Sequence, residues 1–253
     1  MKKRKTKKYL ILGGESRLAQ CFFKLYEKEC WRLNKKECDI TSLESVQKNI
    51  EKYPCRYVLN CAAITDIEKC EKDTELCFKV NVCGVFNLNK ACWRLGKKLI
   101  HISSDYAINP VNNYGWSKYL SEKTIYKKFL MIRTNFYDRN NFIAKNILKG
   151  NKIEVYKDKF FNPISINGLA EKIYLNSKKA GILNIFTSNK LSYVKFANLF
   201  CEIFGLNKKL IRPVKYKNKI NIKRPTNSYV PSDFRIKIRE DLINFKKYLY
   251  ENR

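Results

Sequence analysis

The sequence predicts an α/β protein built on a doubly wound parallel sheet, with a small subdomain in its C-terminal part. Short β-rich runs alternate with helical stretches through the first half of the chain, and a glycine-containing turn follows the first run. The length of 253 residues is enough for one sizeable core. The alternation becomes irregular after residue 138. We therefore expect a basic N-terminal arm (1–8), a core (9–138) and a mixed C-terminal part (139–253) from which some segments return to the core.

The elements of the core follow from hydrophobic spacing and from capping residues. Apolar side chains recur at i, i+3, i+4 and i+7 from Leu18 to Leu25, the spacing of a helix that packs on a sheet. Either Thr41 or Ser42 can begin the next helix, and Thr41 would place Glu44 to close a capping box. The predicted order is strand 9–12, helix 17–29, strand 31–33, helix 41/42–50, strand 56–60, helix 75–95, strand 98–103, helix 114–127 and strand 130–133.

The C-terminal part mixes helices and strands with proline-containing segments. We expect helices at 141–148, 167–177 and 192–204, strands at 153–156 and 182–186, and an amphipathic segment at 241–250. Pro213, Pro225 and Pro231 interrupt the stretch before that last segment, which predicts irregular backbone there.

Composition narrows the class of protein. The net charge is +29, but the lysines are spread along the chain apart from a dense run at 2–8, so nucleic-acid binding is not expected. No run approaches the roughly 18 apolar residues of a membrane helix, and a cytoplasmic location is expected. The ten cysteines form no C-x-x-C pair and accompany a single histidine. Most of them are interpreted as small, buried apolar side chains in a reducing compartment, and no metal site is expected.

A turn that can bind phosphate follows the first predicted strand. The segment 13–19 (GGESRLA) fits a G-x-x-G-x-x-G spacing that keeps Gly13 and has Ser16 and Ala19 at the other two positions. Ala19 is small enough for helix-on-strand packing, whereas Ser16 would be strained by about 1 to 3 kcal/mol if its backbone were left-handed. The helix N-terminus behind the turn supplies free N–H groups. This pattern is typical of a Rossmann-type dinucleotide site.

The end of the second predicted strand indicates which dinucleotide binds. An NAD site usually presents an acidic residue there to the ribose 2′-hydroxyl. Here the strand is followed by Asn34 and Lys35, and then by a second lysine. Because these residues attract a 2′-phosphate, we expect NADPH to be favoured, with NADH left open.

A candidate catalytic group follows the fourth predicted strand. Tyr114 and Lys118 form a Y-x-x-x-K unit, whose spacing places both on one helix face. A cation about 4 Å from a phenol contributes roughly 4 kcal/mol at an effective dielectric of 20, or about three pK units. Lys118 is therefore expected to favour the phenolate of Tyr114. Ser104 ends the strand at the sheet edge where such proteins bind ligands, and can orient a substrate oxygen.

Further segments match a known family in order along nearly the whole chain. They are 38–41 (CDIT), 58–65 (VLNCAAIT), 67–71 (IEKCE), 81–84 (NVCG), 101–106 (HISSDY), 133–134 (RT) and 224–228 (RPTNS). With these residues the chain resembles the extended short-chain dehydrogenase/reductases, and most closely the dTDP-4-dehydrorhamnose reductase family. That resemblance implies a role in dTDP-rhamnose and polysaccharide biosynthesis.

The resemblance also implies which residues touch the ligands. It implies a cofactor site formed by Ser16, Arg17, Leu18, Asp39, Ile40, Ala62, Ala63 and Ile64, with Tyr114 and Lys118 touching the nicotinamide ribose. It further implies that Ser104, Asp105 and Phe136 face the sugar. Ser104 replaces the family's usual threonine and keeps the hydroxyl. Only seven residues, 107–113, stand where the family has a much longer loop, so we expect a shallower or reshaped sugar pocket.

These features predict an NADPH-dependent reductase that acts on a keto group of a nucleotide-diphosphate sugar. Tyr114 would donate the proton, Lys118 would keep the tyrosine poised and Ser104 would orient the carbonyl. Two alternatives stay open: an NAD-dependent sugar-nucleotide epimerase or dehydratase, and a non-catalytic regulatory protein that binds NADP or a sugar nucleotide. A homodimer is also left open.

Overall fold

The computed structural model describes residues 6–217 and 222–251. The chain divides into two compact units. The first comprises Met1–Arg133 and Ile173–Leu183, and the second comprises Thr134–Lys172 and Asn184–Arg253. Within the described ranges, no helix is long and apolar enough to cross a membrane.

The helices and strands alternate through most of the chain. The strands are β1 Tyr9–Leu12, β2 Cys30–Leu33, β3 Tyr57–Asn60, β4 Lys98–Ile102, β5 Leu130–Thr134, β6 Phe136–Tyr137, β7 Ile153–Tyr156, β8 Phe160–Phe161, β9 Ile164–Ser165, β10 Gly181–Ile185, β11 Leu191–Ser192 and β12 Ile211–Val214. The α-helices are α1 Arg17–Tyr26, α2 Leu43–Lys52, α3 Ile67–Lys72, α4 Thr74–Phe78, α5 Gly84–Arg94, α6 Asn113–Thr124, α7 Phe142–Leu148, α8 Ile166–Asn176, α9 Tyr193–Phe204 and α10 Ile238–Glu251.

A six-stranded sheet organises the first unit, in the order β10-β5-β4-β3-β1-β2. Strands β1 to β5 pair in parallel, and β1 and β3 are fully buried. Near-continuous apolar runs are what a parallel sheet covered on both faces requires. The strand order reverses between β1 and β3, and ligands of open α/β sheets bind beyond the carboxyl ends of the strands at such a reversal. The predicted α/β fold class is confirmed.

The predicted helix 75–95 is wrong as a single α-helix. It consists of α4, a π-helical segment Lys79–Cys83 and α5. The extra residue in the π-helical turn changes which side chains face inward, and it brings Asn81 into the buried interior. Apolar periodicity alone does not distinguish a π-turn from a regular helix, so the sequence pattern predicted an unbroken one.

The start of α2 also differs from one of the two predicted forms. Ser42 is the cap, because its side chain accepts from the Ser45 amide. Thr41 instead donates its amide and hydroxyl to Asp39 Oδ1, at 2.9 and 2.8 Å. The capping box that would start at Thr41 is therefore not formed.

Only the end of the predicted N-terminal arm can be placed, since residues 1–5 lie outside the described part of the chain. Lys7 Nζ donates to the carbonyls of Glu27 and Cys30, at 3.1 and 2.9 Å. Residues at the end of the arm are thus fixed beside the start of β2.

Among its described residues, the second unit contains three two-stranded sheets, which pair β8 with β11, β7 with β12 and β6 with β9. A buried polar cluster joins its C-terminal helix to its strands. Asp241 of α10 accepts from the Ser165 amide and hydroxyl and from the Tyr137 hydroxyl, at 2.8, 2.6 and 2.8 Å. Because all three partners donate, the buried carboxylate is satisfied.

Candidate functional site

A cleft of about 410 Å³ lies in the first unit, lined largely by residues that follow β1, β2 and β3. Its volume falls within the range of small-molecule and cofactor sites. Eight lining residues are ones predicted from the sequence: Gly13, Ser16, Lys35, Asp39, Ile40, Ala62, Ala63 and Ile64. Six more were not predicted: Glu15, Cys38, Cys61, Lys69, Leu76 and Val80.

Gly13 brings the turn after β1 close to the end of β3. Its φ of 73° is left-handed, and a Cβ at this position would overlap the Ala62 backbone nitrogen and lie 2.8 Å from the Cys61 carbonyl carbon. The turn is closed by a hydrogen bond from the Ser16 amide to the Gly13 carbonyl, at 2.9 Å. Only glycine fits both the conformation and the approach. This is the kind of turn that lets a backbone pass close to a diphosphate.

Ser16 is not strained, contrary to one form of the expectation. Its φ of −66° and ψ of 148° are extended, so its Cβ carries no left-handed penalty. The Ser16 hydroxyl caps α1 by accepting from the Ala19 amide at 3.3 Å. The serine therefore occupies one helix N-terminal donor but leaves the turn intact.

The outer part of the cleft carries charges of both signs. Lys35 and Lys69 line it together with Asp39. Burial acts to raise the pKa of Asp39, but the Thr41 hydrogen bonds and the lysines at 35 and 79 outweigh it, so that the pKa is lowered and the carboxylate is charged. The lysines leave this part of the cleft suited to an anionic group.

Five predicted cofactor residues are not part of the cleft lining. Tyr114 and Lys118 of α6 are described below, and the other three follow β1 or β2. Leu18 is buried in the core and Arg17 is on the exposed side of α1. Asn34 forms a turn with Glu37: each side chain accepts from the other's amide, at 3.1 and 2.8 Å. Sequence position after β1 or β2 placed these residues near the site, but side-chain direction turns them away from the cleft.

The π-helical segment holds a cleft-lining residue in place through Asn81. Asn81 accepts from the Ile64 amide at 2.8 Å and donates to the Ile64 carbonyl at 2.9 Å, and it also donates to Ser117 Oγ at 2.9 Å. One buried amide side chain therefore fixes both a cleft-lining residue and helix α6. The motif at 81–84 is the sequence signal that could have identified it.

Ser104 and Tyr114 meet beside the carboxyl end of β4. The Ser104 hydroxyl lies near the Tyr114 phenol and acts to lower its pKa, and it donates to Asp105 Oδ1 at 2.8 Å. Burial raises the pKa of Tyr114 well above its ordinary value, because its effect outweighs the lowering by Ser104, and Asp105 adds a smaller rise. The tyrosine is therefore a neutral phenol. The predicted encounter of hydroxyl and phenol is present, but the predicted lowering of the tyrosine pKa is not.

Lys118 explains why that lowering is absent. Its side chain is buried, and Nζ donates to the Ile102 carbonyl at 2.7 Å. Burial lowers the pKa of Lys118 to about 8, against the opposing effect of Glu122, Cys61 and Cys77. The ammonium is thus held by a backbone carbonyl at the end of β4.

The start of α6, which carries Tyr114, is fixed by two polar anchors. Asn112 caps the helix by accepting from the Gly115 amide at 2.8 Å. Glu71 of α3 accepts from the Asn113 amide at 2.7 Å and from its side chain at 3.2 Å. The short segment before the helix therefore has a defined path, and the phenol is positioned by its neighbour on each side.

A buried ion pair fixes the other end of α6. Arg133 donates to Glu122 through Nε at 2.9 Å and through Nη2 at 2.6 Å, and the Ser103 hydroxyl donates to the same carboxylate at 2.6 Å. Because the guanidinium donates two hydrogen bonds to one carboxylate, its orientation is restricted as well as its distance. Helix α6 is thereby held against β4 and β5.

Phe136, predicted to face the sugar, begins β6 of the second unit and is half-buried. Its role stays a prediction. Among residues that the sequence reasoning did not assign, Lys69, Glu71 and Asn81 lie in the matching segments 67–71 and 81–84. The match of these segments to the family was the signal that could have identified these residues. Residue spacing alone could not, because it does not reveal contacts between distant parts of the chain.

Comparisons with known proteins agree on one group. The sequence profile described as RmlD substrate binding domain matches residues 7–239. Spore coat polysaccharide biosynthesis protein SpsK of Bacillus subtilis is 29% identical over 220 residues, covering 77% of each chain.

Two solved structures share the fold over nearly the whole chain. A dTDP-4-dehydrorhamnose reductase of Clostridium acetobutylicum has a TM-score of 0.86 at 25% identity, covering 96% of this chain and 99% of that one. A dTDP-4-dehydrorhamnose reductase of Bacillus anthracis in complex with NADP has a TM-score of 0.85 at 23% identity, covering 98% and 100%.

Proposed function

The chain belongs to the RmlD substrate binding domain family, and we propose that it reduces a keto group of a nucleotide-diphosphate sugar with NADPH. The predicted resemblance and the predicted class, an NAD(P)H-dependent oxidoreductase of the short-chain dehydrogenase/reductase type, are confirmed. The observation that supports the reaction most strongly is that Tyr114 is a neutral phenol close to the Ser104 hydroxyl at the end of β4. The proposed substrate is dTDP-4-dehydrorhamnose, from the names of the relatives.

The residues of the cleft fit the proposed cofactor. The Gly13 turn leaves room for a diphosphate where a Cβ would meet backbone atoms. Ile40 and the segment 62–64 would hold the adenosine half of the cofactor. Lys35 and Lys69 supply positive charge for a 2′-phosphate. When bound, the reduced nicotinamide supplies the hydride.

The protein's own contribution to the reaction is proton transfer and orientation. We assign proton donation to Tyr114, because a neutral phenol holds the proton that an alkoxide needs. Ser104 orients the substrate carbonyl through its hydroxyl, and Lys118 supplies positive charge at the end of β4. Asp105 and Phe136 are assigned to sugar binding. The short segment 107–113 packs back onto the start of α6, since a Cβ on Gly115 would lie 3.1 Å from the Pro110 Cα.

An activity assay tests the proposal. Purified protein is mixed with NADPH and dTDP-4-dehydrorhamnose, and loss of absorbance by NADPH is followed together with the sugar product. We expect stoichiometric oxidation of NADPH that requires the sugar nucleotide. Binding of NADPH without oxidation would contradict the reductase and favour the regulatory alternative. Release of NAD⁺ from denatured protein would instead favour the epimerase or dehydratase.

The cysteines and the exposed aromatic side chains support a location and an oligomeric state. All ten cysteines carry free thiols, and this supports a reducing compartment such as the cytoplasm. A homodimer is supported by exposed aromatic side chains on α5 and α6, where Phe86, Trp93 and Trp116 are each about half exposed. Light scattering on the eluted protein measures its mass and tests the dimer. Nucleic acid is not proposed as a partner.

A further inference from the structure

His101 is the chain's single histidine, and it lies inside the first unit between the catalytic helix and the sheet. The side chain on β4 is 0% exposed. On one side its Nδ1 lies 3.1 Å from Asn60 Nδ2. On the other side its Nε2 lies 3.4 Å from both Lys118 Nζ and Ser121 Oγ. Burial and the Lys118 ammonium hold the pKa of His101 well below its ordinary value, so the imidazole is neutral.

The neighbours of His101 determine which nitrogen carries the proton. Asn60 Oδ1 accepts from the Ala62 amide at 3.0 Å, which orients the amide group of Asn60. Its Nδ2 can only donate, so His101 Nδ1 must accept. A neutral imidazole then carries its proton on Nε2. Ser121 accepts that proton, because its own hydroxyl proton is donated to the Lys118 carbonyl at 2.8 Å.

This tautomer has a consequence for Lys118. A protonated Nε2 cannot accept a hydrogen bond. The Lys118 ammonium, 3.4 Å away, therefore cannot donate to the imidazole. Lys118 Nζ instead donates to the Ile102 carbonyl at 2.7 Å. Glu122, on the same helix, is occupied by Arg133 and Ser103. If Nε2 were unprotonated, Lys118 would have a second inward acceptor.

We infer that His101 is a positioning residue for Lys118: fixed as the Nε2–H tautomer by Asn60, it denies the ammonium an inward acceptor and directs it toward the carboxyl end of β4. The inference deepens the proposed function, since Lys118 belongs to the proposed catalytic group. The other titratable groups that act on Lys118 are Glu122, Cys61 and Cys77. The variants below leave them unchanged.

The first test reads the tautomer directly. Tag-free protein labelled with ¹⁵N at histidine gives imidazole signals from His101 alone. We expect an unprotonated Nδ1 and a protonated Nε2 that do not change between pH 5.5 and 8. A protonated Nδ1, or titration near the ordinary histidine pKa, would overturn the inference. Because this experiment uses no substrate, its outcome is independent of whether the proposed reaction is correct.

The second test inverts the tautomer with Asn60→Asp. A carboxylate must accept from Nδ1, so Nε2 becomes the acceptor that faces Lys118. We expect the proton to move to Nδ1 in the nitrogen spectrum. We also expect the basic limb of the kcat profile to move to higher pH by half a unit or more, because the charged lysine is favoured.

A second variant separates this effect from that of the new charge. In Asn60→Asp/His101→Phe the carboxylate is kept and the imidazole acceptor is removed, so the shift of the basic limb should be smaller. Equal shifts in the single and double variants would show that His101 does not act through Lys118. Thr124→Ala is the matched control: it removes a hydroxyl bonded to the Ser121 carbonyl on the same helix, and its basic limb should match the wild type.

Discussion

At the scale of a residue, Gly13 decides whether the turn can approach β3. Its left-handed backbone and the overlap that a Cβ would make with Ala62 are two separate obstacles to any other residue. Gly96, which follows α5, shares the left-handed backbone, with a φ of 63°, but a Cβ there would meet nothing within 4 Å. A comparison of alanine substitutions at Gly13 and Gly96 therefore separates the cost of a left-handed backbone from the cost of a steric clash.

Gly13→Ala is expected to destabilise the fold by more than Gly96→Ala. The control should lose about 1 to 2 kcal/mol, the cost of a left-handed backbone for a residue with a Cβ. Gly13→Ala should lose that amount plus the cost of displacing Ala62, and its NADPH affinity should fall. Urea unfolding measures the stabilities, and equal losses in the two variants would contradict the account of the turn.

The Glu122 carboxylate is a second residue whose effect can be measured. It is 4% exposed and receives two donors from Arg133 and one from Ser103. Glu122→Gln leaves the guanidinium without its charged partner, and removal of one member of a buried pair costs about 3 kcal/mol. Because Arg133 is partly exposed, we expect a loss of stability at or below that value in urea unfolding.

The control for this pair is on the surface. Glu251 of α10 pairs with Lys247, and both side chains are well exposed. Glu251→Gln should change stability by less than about 0.5 kcal/mol. A comparable loss of stability in both variants would mean that burial of the Glu122–Arg133 pair adds nothing to its contribution to stability.

At the scale of an element, the position of Tyr114 depends on how α6 begins. Glu71 of α3 holds Asn113 through both its amide and its side chain. Glu71→Ala should therefore lower kcat by roughly tenfold while thermal stability changes little, because misplacing a catalytic group by a small distance slows the chemical step. Glu75→Gln, an exposed change on the neighbouring helix, should keep wild-type kcat. Unchanged kcat in Glu71→Ala would contradict this role.

The sequence predicted those elements whose signals are local. The turn at Gly13 and the strand that precedes Ser104 were predicted because glycine position and apolar runs report directly on backbone conformation. The π-helical turn around Asn81 was not, since its apolar spacing is compatible with a regular helix. The direction of Lys118 was not predicted either, because it depends on the Ile102 carbonyl and on His101, which only the folded chain brings together.

At the scale of the whole molecule, the net charge of +29 opposes compactness. Like charges on one folded chain repel, and salt weakens the repulsion because the Debye length falls from about 30 Å at 0.01 M to about 8 Å at 0.15 M. The melting temperature should therefore rise by at least about 2 °C over this range of sodium chloride. A calorimetric scan at each concentration measures it. A falling melting temperature would mean that attractive pairs outweigh the repulsion.

The pKa of Lys118 adds a pH dependence to the same stability. The folded-state pKa of about 8 lies below the ordinary 10.5, so the unfolded chain binds more protons between these values. Stability should accordingly rise as pH increases from 8 toward 10.5. Lys118→Met should show a smaller rise when both proteins are unfolded in urea at matched pH. Identical slopes would contradict the lowered pKa.

The central claim is that the neutral phenol of Tyr114, close to the Ser104 hydroxyl at the end of β4, donates the proton in a keto reduction. The most direct measurement is turnover of dTDP-4-dehydrorhamnose by Tyr114→Phe, together with its NADPH dissociation constant. The account predicts a loss of at least 100-fold in kcat, the lower part of the range for a general acid, with NADPH affinity retained. Turnover at the wild-type rate would contradict it.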